Sequence, residues 1–149
     1  MTVTAHMFSG CLLNALGKAG SPNLNILSDN IYVGLVTSSY SPSQDVDTYW
    51  TTPVANEVVG AGYTANGFLL ANKTLAVSSA VMTFTNTVNP SWAASTITAR
   101  YAVFYDRTPA TDATRGLIGW VNFGADVISS AGTFTITISG SGIFTVTCS

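Results

Sequence analysis

The chain has 149 residues, a length that suits one domain with a sizeable core. Only 8% of its residues are charged, the net charge is −2 and the five basic residues form no run, which argues against a nucleic-acid-binding protein. No apolar run approaches the roughly 18 residues of a membrane span, so we expect no membrane insertion.

The predicted surface is built from Thr, Ser, Asn and Ala instead of Lys and Glu. Such a surface loses little charge hydration on contact, which favours a protein that spends its life packed against other proteins. A secreted or simply polar β-domain is the alternative. The N-terminus lacks the basic start of a signal peptide, so we expect a chain made in the cytoplasm and not exported through a secretion signal.

One helix is predicted, from His6 to Lys18, with Thr4 as a candidate cap and Gly20 as a candidate stop. At about three turns it would be marginal alone and must dock on something. We favour docking on its own β-domain with a contribution to an oligomer; docking on a neighbouring subunit or a capsid shell is the alternative. Its apolar face, at i, i+3, i+4 spacing, consists of Phe8, Cys11, Leu12, Ala15 and Leu16.

After Pro22 the chain is predicted to form seven to nine short strands with turn signals at roughly ten-residue spacing, which is typical of a β-sandwich or jelly roll. We therefore expect a mainly-β single domain over residues 1–149, with an N-terminal helical segment at 1–20 and a β-sandwich over 21–149. The shorter predicted strands are 31–37, 67–71, 74–77, 81–85, 133–138 and 143–147.

Two further strands, within residues 97–105 and 117–123, are apolar on both faces. Strands of this kind lie at the centre of a sheet that is covered on both sides. Trp120 falls in the middle of the second one, so we place it in the core or in a subunit interface. The polar connection 106–115 contains Pro109 and is predicted to be an exposed loop.

Four charged residues flank or occupy that connection: Asp106, Arg107, Asp112 and Arg115. Paired carboxylates do acid–base chemistry only when a pocket holds them at a fixed separation and shifts their pKa values. We expect these charges to be solvated or to form salt bridges to a neighbouring subunit, and we assign no catalytic residue and no enzymatic activity.

Arg100 lies inside a predicted strand, which leaves two interpretations open. Its side chain lies outward along the sheet, or it forms an intersubunit ion pair with Glu57. The glycine-rich stretch 56–67 around Tyr63 resembles a phosphate-cradling loop only superficially, because no helix follows it. Tight turns and close backbone packing are the expected roles of its glycines.

No metal or cofactor site is predicted. The only histidine is His6, and the two cysteines, Cys11 and Cys148, lie near opposite ends. A structural zinc site normally needs four Cys or His ligands. A Cys11–Cys148 disulfide is disfavoured in a reducing compartment, so two buried thiols are expected.

The polar segment 38–53 is the longest irregular stretch, and long loops are often functional. It contains Tyr49 and Trp50, which could form a stacking platform for a sugar ring. A carbohydrate-binding β-sandwich is therefore an alternative function.

Taken together, these segments resemble a group of small virion proteins of tailed bacteriophages. The likeness covers most of the chain and is carried by structural motifs rather than by chemistry. Those motifs are an N-terminal helix followed by IYVGLVTSSY (31–40), NEVVGAGYTANGFLLANKT (56–74), STITARYAVFYD (95–106), LIGWVNFG (117–124) and FTITISGSGIFTVT (134–147).

The resemblance implies a non-enzymatic structural protein on the virion surface, synthesised in the host cytoplasm. The implied role is a capsid decoration (cement) protein that binds the major capsid protein and stabilises the shell, or alternatively a tail, baseplate or adaptor component. It also implies self-association as a homotrimer, with a dimer as the next expectation. No catalytic, cofactor or metal residues are implied.

Overall fold

A computed structural model describes residues 3–17 and 24–147 of the chain. It is 48% strand and 8% helix, with two antiparallel sheets, which confirms the predicted mainly-β, sandwich-like class. In chain order, the described elements are β1 (Thr4–Met7), α1 (Ser9–Ala15), β2 (Ile31–Val36), α2 (Thr51–Val54), β3 (Phe68–Leu69), β4 (Lys73–Ser78), β5 (Val81–Asn86), β6 (Ser91–Asp106), β7 (Leu117–Thr135) and β8 (Phe144–Thr147).

The larger sheet has the strand order β1-β7-β6-β2-β3, and every pairing in it is antiparallel. Its centre is the hairpin of β6 and β7, which are 16 and 19 residues long. The predicted strands 97–105 and 117–123 lie inside this hairpin. The β6–β7 register shifts at four places, so the long hairpin is bulged.

The smaller sheet has the order β4-β5-β8 and is also antiparallel. Its side chains alternate strictly. One face carries the apolar residues of all three strands, and the other face is mostly threonine and serine. The apolar face consists of Leu75, Val77, Met82, Phe84, Phe144 and Val146.

The main core lies between the two sheets. Phe84 and Phe144 of the smaller sheet stack with ring centroids 6.1 Å apart, and Phe104 of β6 meets Phe144 edge-on at 5.4 Å. Burial of such aromatic side chains is the largest favourable contribution that this architecture can make. Ile31, Val33, Leu35 and Ile118 belong to the same core.

A second core covers the opposite face of the larger sheet, which is why its central strands are apolar on both sides. Val103 and Tyr105 point into it, whereas Ala102 and Phe104 point into the first core. The segment 38–53 with α2 lies over this face. Trp120 is 7% exposed there and packs against Phe8 at 4.4 Å between ring centroids, so its predicted burial is confirmed.

The N-terminal segment differs from the predicted helix. Residues 4–7 pair with β7 as an edge strand, with His6 opposite Trp120, and the helix spans only Ser9–Ala15. The open edge of β7 offers backbone hydrogen bonds that outweigh the helical periodicity of this short segment. The helix ends at Ala15, and Gly17, just beyond the C-cap Leu16, has a φ of 76°, a left-handed conformation natural to glycine. The predicted stop, Gly20, lies outside the described residues.

The predicted strand 133–138 is only partly correct. Thr133–Thr135 form the end of β7, but beyond them the regular ladder stops. The amide of Ile136 donates to the carbonyl of Pro90 at 2.9 Å, and the amide of Ile138 donates to the side chain of Asn89 at 2.9 Å. Phe134, Ile136 and Ile138 do alternate with polar residues. Strand β6, however, begins at Ser91, which pairs with Thr135, so residues beyond 135 have no partner on β6.

Candidate interaction surface

An apolar groove opens between α1, residues 24–27 and the apolar face of the smaller sheet. We call it the α1 groove. It encloses about 340 Å³. Its floor is buried core, from Phe84, Ile118 and Phe144, and its walls are partly exposed side chains. The apolar wall residues are Met7, Leu12, Ala15, Leu24, Ile26, Leu27, Leu75, Met82 and Val146, and the polar Asn25 also lines the groove.

Helix α1 forms one wall of the groove: one of its sides packs on the protein, and the other is exposed. Phe8 and Cys11 are buried against the body of the protein, whereas Leu12 is half exposed and Leu16 is 84% exposed. The predicted apolar stripe is therefore split. Phe8 and Cys11 dock the segment on its own domain, and the leucines face outward. The docking agrees with the favoured prediction, and the contribution of the segment to an oligomer stays a prediction.

No Asp, Glu, Lys or Arg side chain lines the α1 groove among the described residues. The one ionisable group in it is Cys11, and burial raises the pKa of its thiol from 9.0 to about 11. The thiol is therefore neutral and unreactive at physiological pH. An uncharged wall of half-exposed leucines can exclude water from an apolar partner without desolvating a charge.

Sequence reasoning missed most of the groove. The run Leu24-Asn25-Ile26-Leu27 falls between the predicted helix and the first predicted strand and belongs to neither. The period-two pattern of Leu75 and Val77 with Met82 and Phe84 was present in the sequence. It becomes informative only when the pairing of β4 with β5 places these four side chains on one face.

The prediction that Trp50 forms part of an exposed stacking platform for a sugar ring is wrong. Its ring is fully buried and stacks on Tyr105, with centroids 4.0 Å apart and planes 5° from parallel. Gly34 makes room for it, because an added Cβ there would lie 2.4 Å from the indole ring. Tyr49 is half-buried and pairs with Gly116 in an isolated bridge. The segment 38–53 thus packs as a cover on the sheet, and its tryptophan does not face solvent.

The four charged residues of the connection 106–115 each contact a group within their own chain. Asp106 is buried and accepts a hydrogen bond from the Thr108 amide at 2.8 Å, and desolvation raises its pKa. Arg115 forms an ion pair with Asp112 within the loop. Arg107 lies over the ring of Tyr32, 4.8 Å from the centroid. The prediction that these charges are solvated is wrong for Asp106, which is 3% exposed. The Arg115–Asp112 ion pair lies within the chain, so the predicted salt bridges to a neighbouring subunit stay a prediction.

Arg100 and Glu57 have separate partners within the chain. Arg100 lies 3.6 Å from Asp126 and is half-buried along the sheet. The Glu57 carboxylate accepts from the Tyr63 hydroxyl at 2.7 Å and from the Asn66 amide at 2.6 Å. Burial raises the pKa of Glu57, and these two hydrogen bonds oppose that rise. Within the chain, Arg100 lies along the sheet beside Asp126, and the intersubunit pair with Glu57 stays a prediction. Glu57 connects Tyr63 and Asn66 within the glycine-rich stretch.

The glycines of residues 56–67 serve close packing, as predicted. An added Cβ at Gly60 would lie 2.2 Å from the Thr96 carbonyl oxygen, and one at Gly67 would lie 2.0 Å from the Val33 carbonyl oxygen. Gly67 also has a φ of 81°. The stretch lies directly against the backbones of β2 and β6.

The remaining candidates concern metals, thiols and membranes. Within residues 3–17 and 24–147, no three His, Cys, Asp or Glu side chains are grouped closely enough to hold a metal ion. His6 stacks on Trp120 at 4.9 Å. Cys148 lies outside the described residues, so the structure does not address the Cys11–Cys148 pairing. Neither helix of the described part is long and apolar enough to span a membrane.

Comparisons of the chain with protein-family models, with curated proteins and with solved structures find no match.

Proposed function

We propose that this protein is a non-enzymatic structural component of a tailed-bacteriophage virion, a capsid decoration protein that binds the major capsid protein through the α1 groove. The observation that supports this proposal is the α1 groove, a mostly apolar surface with half-exposed leucines on its walls and no charged side chain among its described lining residues. The sequence resemblance to small virion proteins supplies the identity of the partner.

The energetics of the groove support a protein–protein contact. Full burial of a leucine contributes roughly 1.5–3 kcal/mol, so covering the exposed halves of Leu12 and Leu27 contributes about 1 kcal/mol each. Leu75 and Met82 add smaller amounts. A partner that covers the whole groove gains several kcal/mol without separating any charge from water, which suits an apolar segment of a shell protein.

The test is co-sedimentation of the purified protein with undecorated phage particles. We expect Leu12→Glu and Leu27→Glu each to weaken binding by about tenfold or more, because each buries a carboxylate in an apolar contact. Val59→Glu is the matched control, since Val59 is 94% exposed and lies outside the groove. Loss of binding in the control alone, or equal binding of all variants, contradicts this assignment.

A tail, baseplate or adaptor role uses the same surface on a different partner. Quantifying the number of bound copies per particle separates the two roles. A decoration protein saturates at hundreds of copies, whereas a tail component saturates at a handful. The homotrimer implied by the resemblance remains a prediction, and native mass spectrometry of the free protein measures it.

A further inference from the structure

Strand β4 is an edge of the smaller sheet, and no other described strand pairs with its outer side. It forms a hairpin with β5 in continuous register from Lys73–Asn86 to Ser78–Val81. The two turn residues, Ser79 and Ala80, have φ values of 50° and 62°. Positive φ at both positions is the mark of a type I′ turn, which matches the twist of a regular hairpin.

The turn determines which backbone groups of β4 face outward. In a two-residue hairpin the closing pair, here Ser78 and Val81, is hydrogen-bonded, and hydrogen-bonded pairs alternate with non-bonded pairs along an antiparallel ladder. Thr74 and Ala76 therefore also direct their N–H and C=O groups toward β5. Leu75 and Val77 direct theirs away from the sheet, where they are available to another strand.

This edge lacks the features that usually prevent strand pairing. Natural edges are protected by charged residues, proline or bulges. Residues 74–78 contain no charge and no proline, and the register has no shift. Lys73 is the only charge in the strand, and its ammonium donates back to the carbonyl oxygens of Asp29 and Leu70 at 2.8 and 3.1 Å. Leu75 is 38% and Val77 is 73% exposed.

We propose that β4 pairs antiparallel with β4 of a second copy of this chain about a two-fold axis. The edge is self-complementary, because opposite residues in an antiparallel pair lie on the same face of the sheet. Leu75 and Val77 of one copy thereby meet the same residues of the other, and the two small sheets become one six-stranded sheet. No uncompensated like charges oppose each other across the axis, which favours a second copy over a charged partner.

The small contact area limits the strength of the pairing. A six-residue strand is about 20 Å long, so edge pairing buries a few hundred Å² per copy at most. Stable interfaces bury roughly 800 Å² per partner. We therefore expect a weak, reversible dimer that forms as protein concentration rises. An antiparallel strand paired with itself closes as a dimer and not as a trimer, and it requires no particle, so it is independent of the proposed function.

Sedimentation equilibrium of the whole chain over a roughly hundredfold range of concentration tests the proposal. We expect the mass to rise from one chain to two. Val77→Pro removes an outward N–H group but leaves the ladder to β5 intact, and it should weaken dimerisation at least tenfold. Val77→Thr keeps the N–H group and nearly the same shape, and it should dimerise like the wild type. Circular dichroism and a melting curve verify that both variants fold.

If Val77→Pro does not fold, Leu75→Lys supplies the second variant, because it places two ammonium groups near the axis. Amide hydrogen exchange adds a local measurement: the Leu75 and Val77 amides should become protected as concentration rises, while amides of the β6–β7 hairpin should not change. A wild-type protein that stays monomeric, or a dimer or trimer that survives Val77→Pro and Leu75→Lys, overturns the proposal. Particle binding by the α1-groove variants is measured separately, so either proposal can fail alone.

Discussion

At the scale of single residues, aromatic side chains pack the N-terminal segment and the segment 38–53 against the larger sheet. Trp120 touches both His6 of β1 and Phe8, which precedes α1. Trp50 performs the equivalent role for the segment 38–53 by stacking on Tyr105. Each indole joins a chain segment to the larger sheet. Its removal therefore leaves a cavity and also weakens the attachment of that segment.

Trp120→Ala should lower stability by about 3–5 kcal/mol, the usual cost of truncating a buried tryptophan. For a chain of this length, each kcal/mol corresponds to roughly 2–4 °C, so the melting temperature should fall by about 6–20 °C. Leu16→Ala is the control, since Leu16 is 84% exposed and should change stability very little. Equal melting temperatures for the two variants would contradict the placement of Trp120.

Cys11 gives the protein a defined sensitivity to alkaline pH. Burial raises the pKa of its thiol from 9.0 to about 11, so the fold favours the neutral form. The corresponding stabilisation is full below pH 9 and is lost as the pH rises toward 11. Two pKa units amount to about 3 kcal/mol. The free energy of unfolding, measured with urea between pH 8 and 11, should fall more steeply with pH for the wild type than for Cys11→Ala.

The difference between the two proteins isolates the thiol, because the tyrosines titrate in both. Burial also raises the pKa values of Tyr40, Tyr63 and Tyr105, so both proteins should lose stability at the alkaline end of the range. Parallel pH profiles for the wild type and Cys11→Ala would show that the Cys11 thiol is not desolvated in the folded protein.

At the scale of secondary-structure elements, the sequence predicts strands better than it predicts the N-terminal segment. Two-sided apolar patterns located β6 and β7, because a central strand is recognisable from its own residues. The helical spacing from Phe8 to Leu16 is equally clear. It does not show that residues 4–7 form a strand that pairs with the open edge of β7. That outcome depends on a contact between residues more than a hundred positions apart.

The candidate surface was predictable only in part for the same reason. The outward-facing leucines of α1 were visible as an apolar stripe, but Leu27, Leu75 and Met82 come together only through the packing of the small sheet. The error on Trp50 has a related cause. An aromatic residue in a polar segment suggests an exposed platform, whereas Gly34 on a distant strand provides the space that buries it.

Deleting residues 1–20 tests the two roles of the N-terminal segment. The deletion removes β1 from the larger sheet and Phe8 from the second core, so it should lower the melting temperature substantially. The double variant Leu12→Ser, Leu16→Ser removes one half-exposed and one largely exposed apolar side chain but leaves β1 and Phe8 in place, so it should lower the melting temperature much less than the deletion while it weakens binding to undecorated particles. A deletion that neither destabilises the protein nor weakens particle binding would leave the segment without either role.

At the scale of the whole molecule, the scarcity of charge should govern how association responds to salt. Among residues 3–17 and 24–147, no charged side chain lines the α1 groove, and residues 74–78 of β4 are uncharged, so screening by salt has little effect on these contacts. Particle binding should change by less than about threefold between low and high sodium chloride, and sulfate should strengthen it. A roughly tenfold loss of binding in sodium chloride would place the contact on a charged surface instead.

The burial of the tryptophans has a spectroscopic consequence. All three indoles of the sequence lie in the core, at positions 50, 92 and 120. Their emission should be shifted to short wavelength and should resist quenching by iodide, which reaches only exposed rings. Tyr105, in contact with the Trp50 ring, should transfer its excitation to that indole, so tyrosine emission should increase on unfolding. The protein thus carries an internal fluorescent reporter of its own folding, free of any added dye.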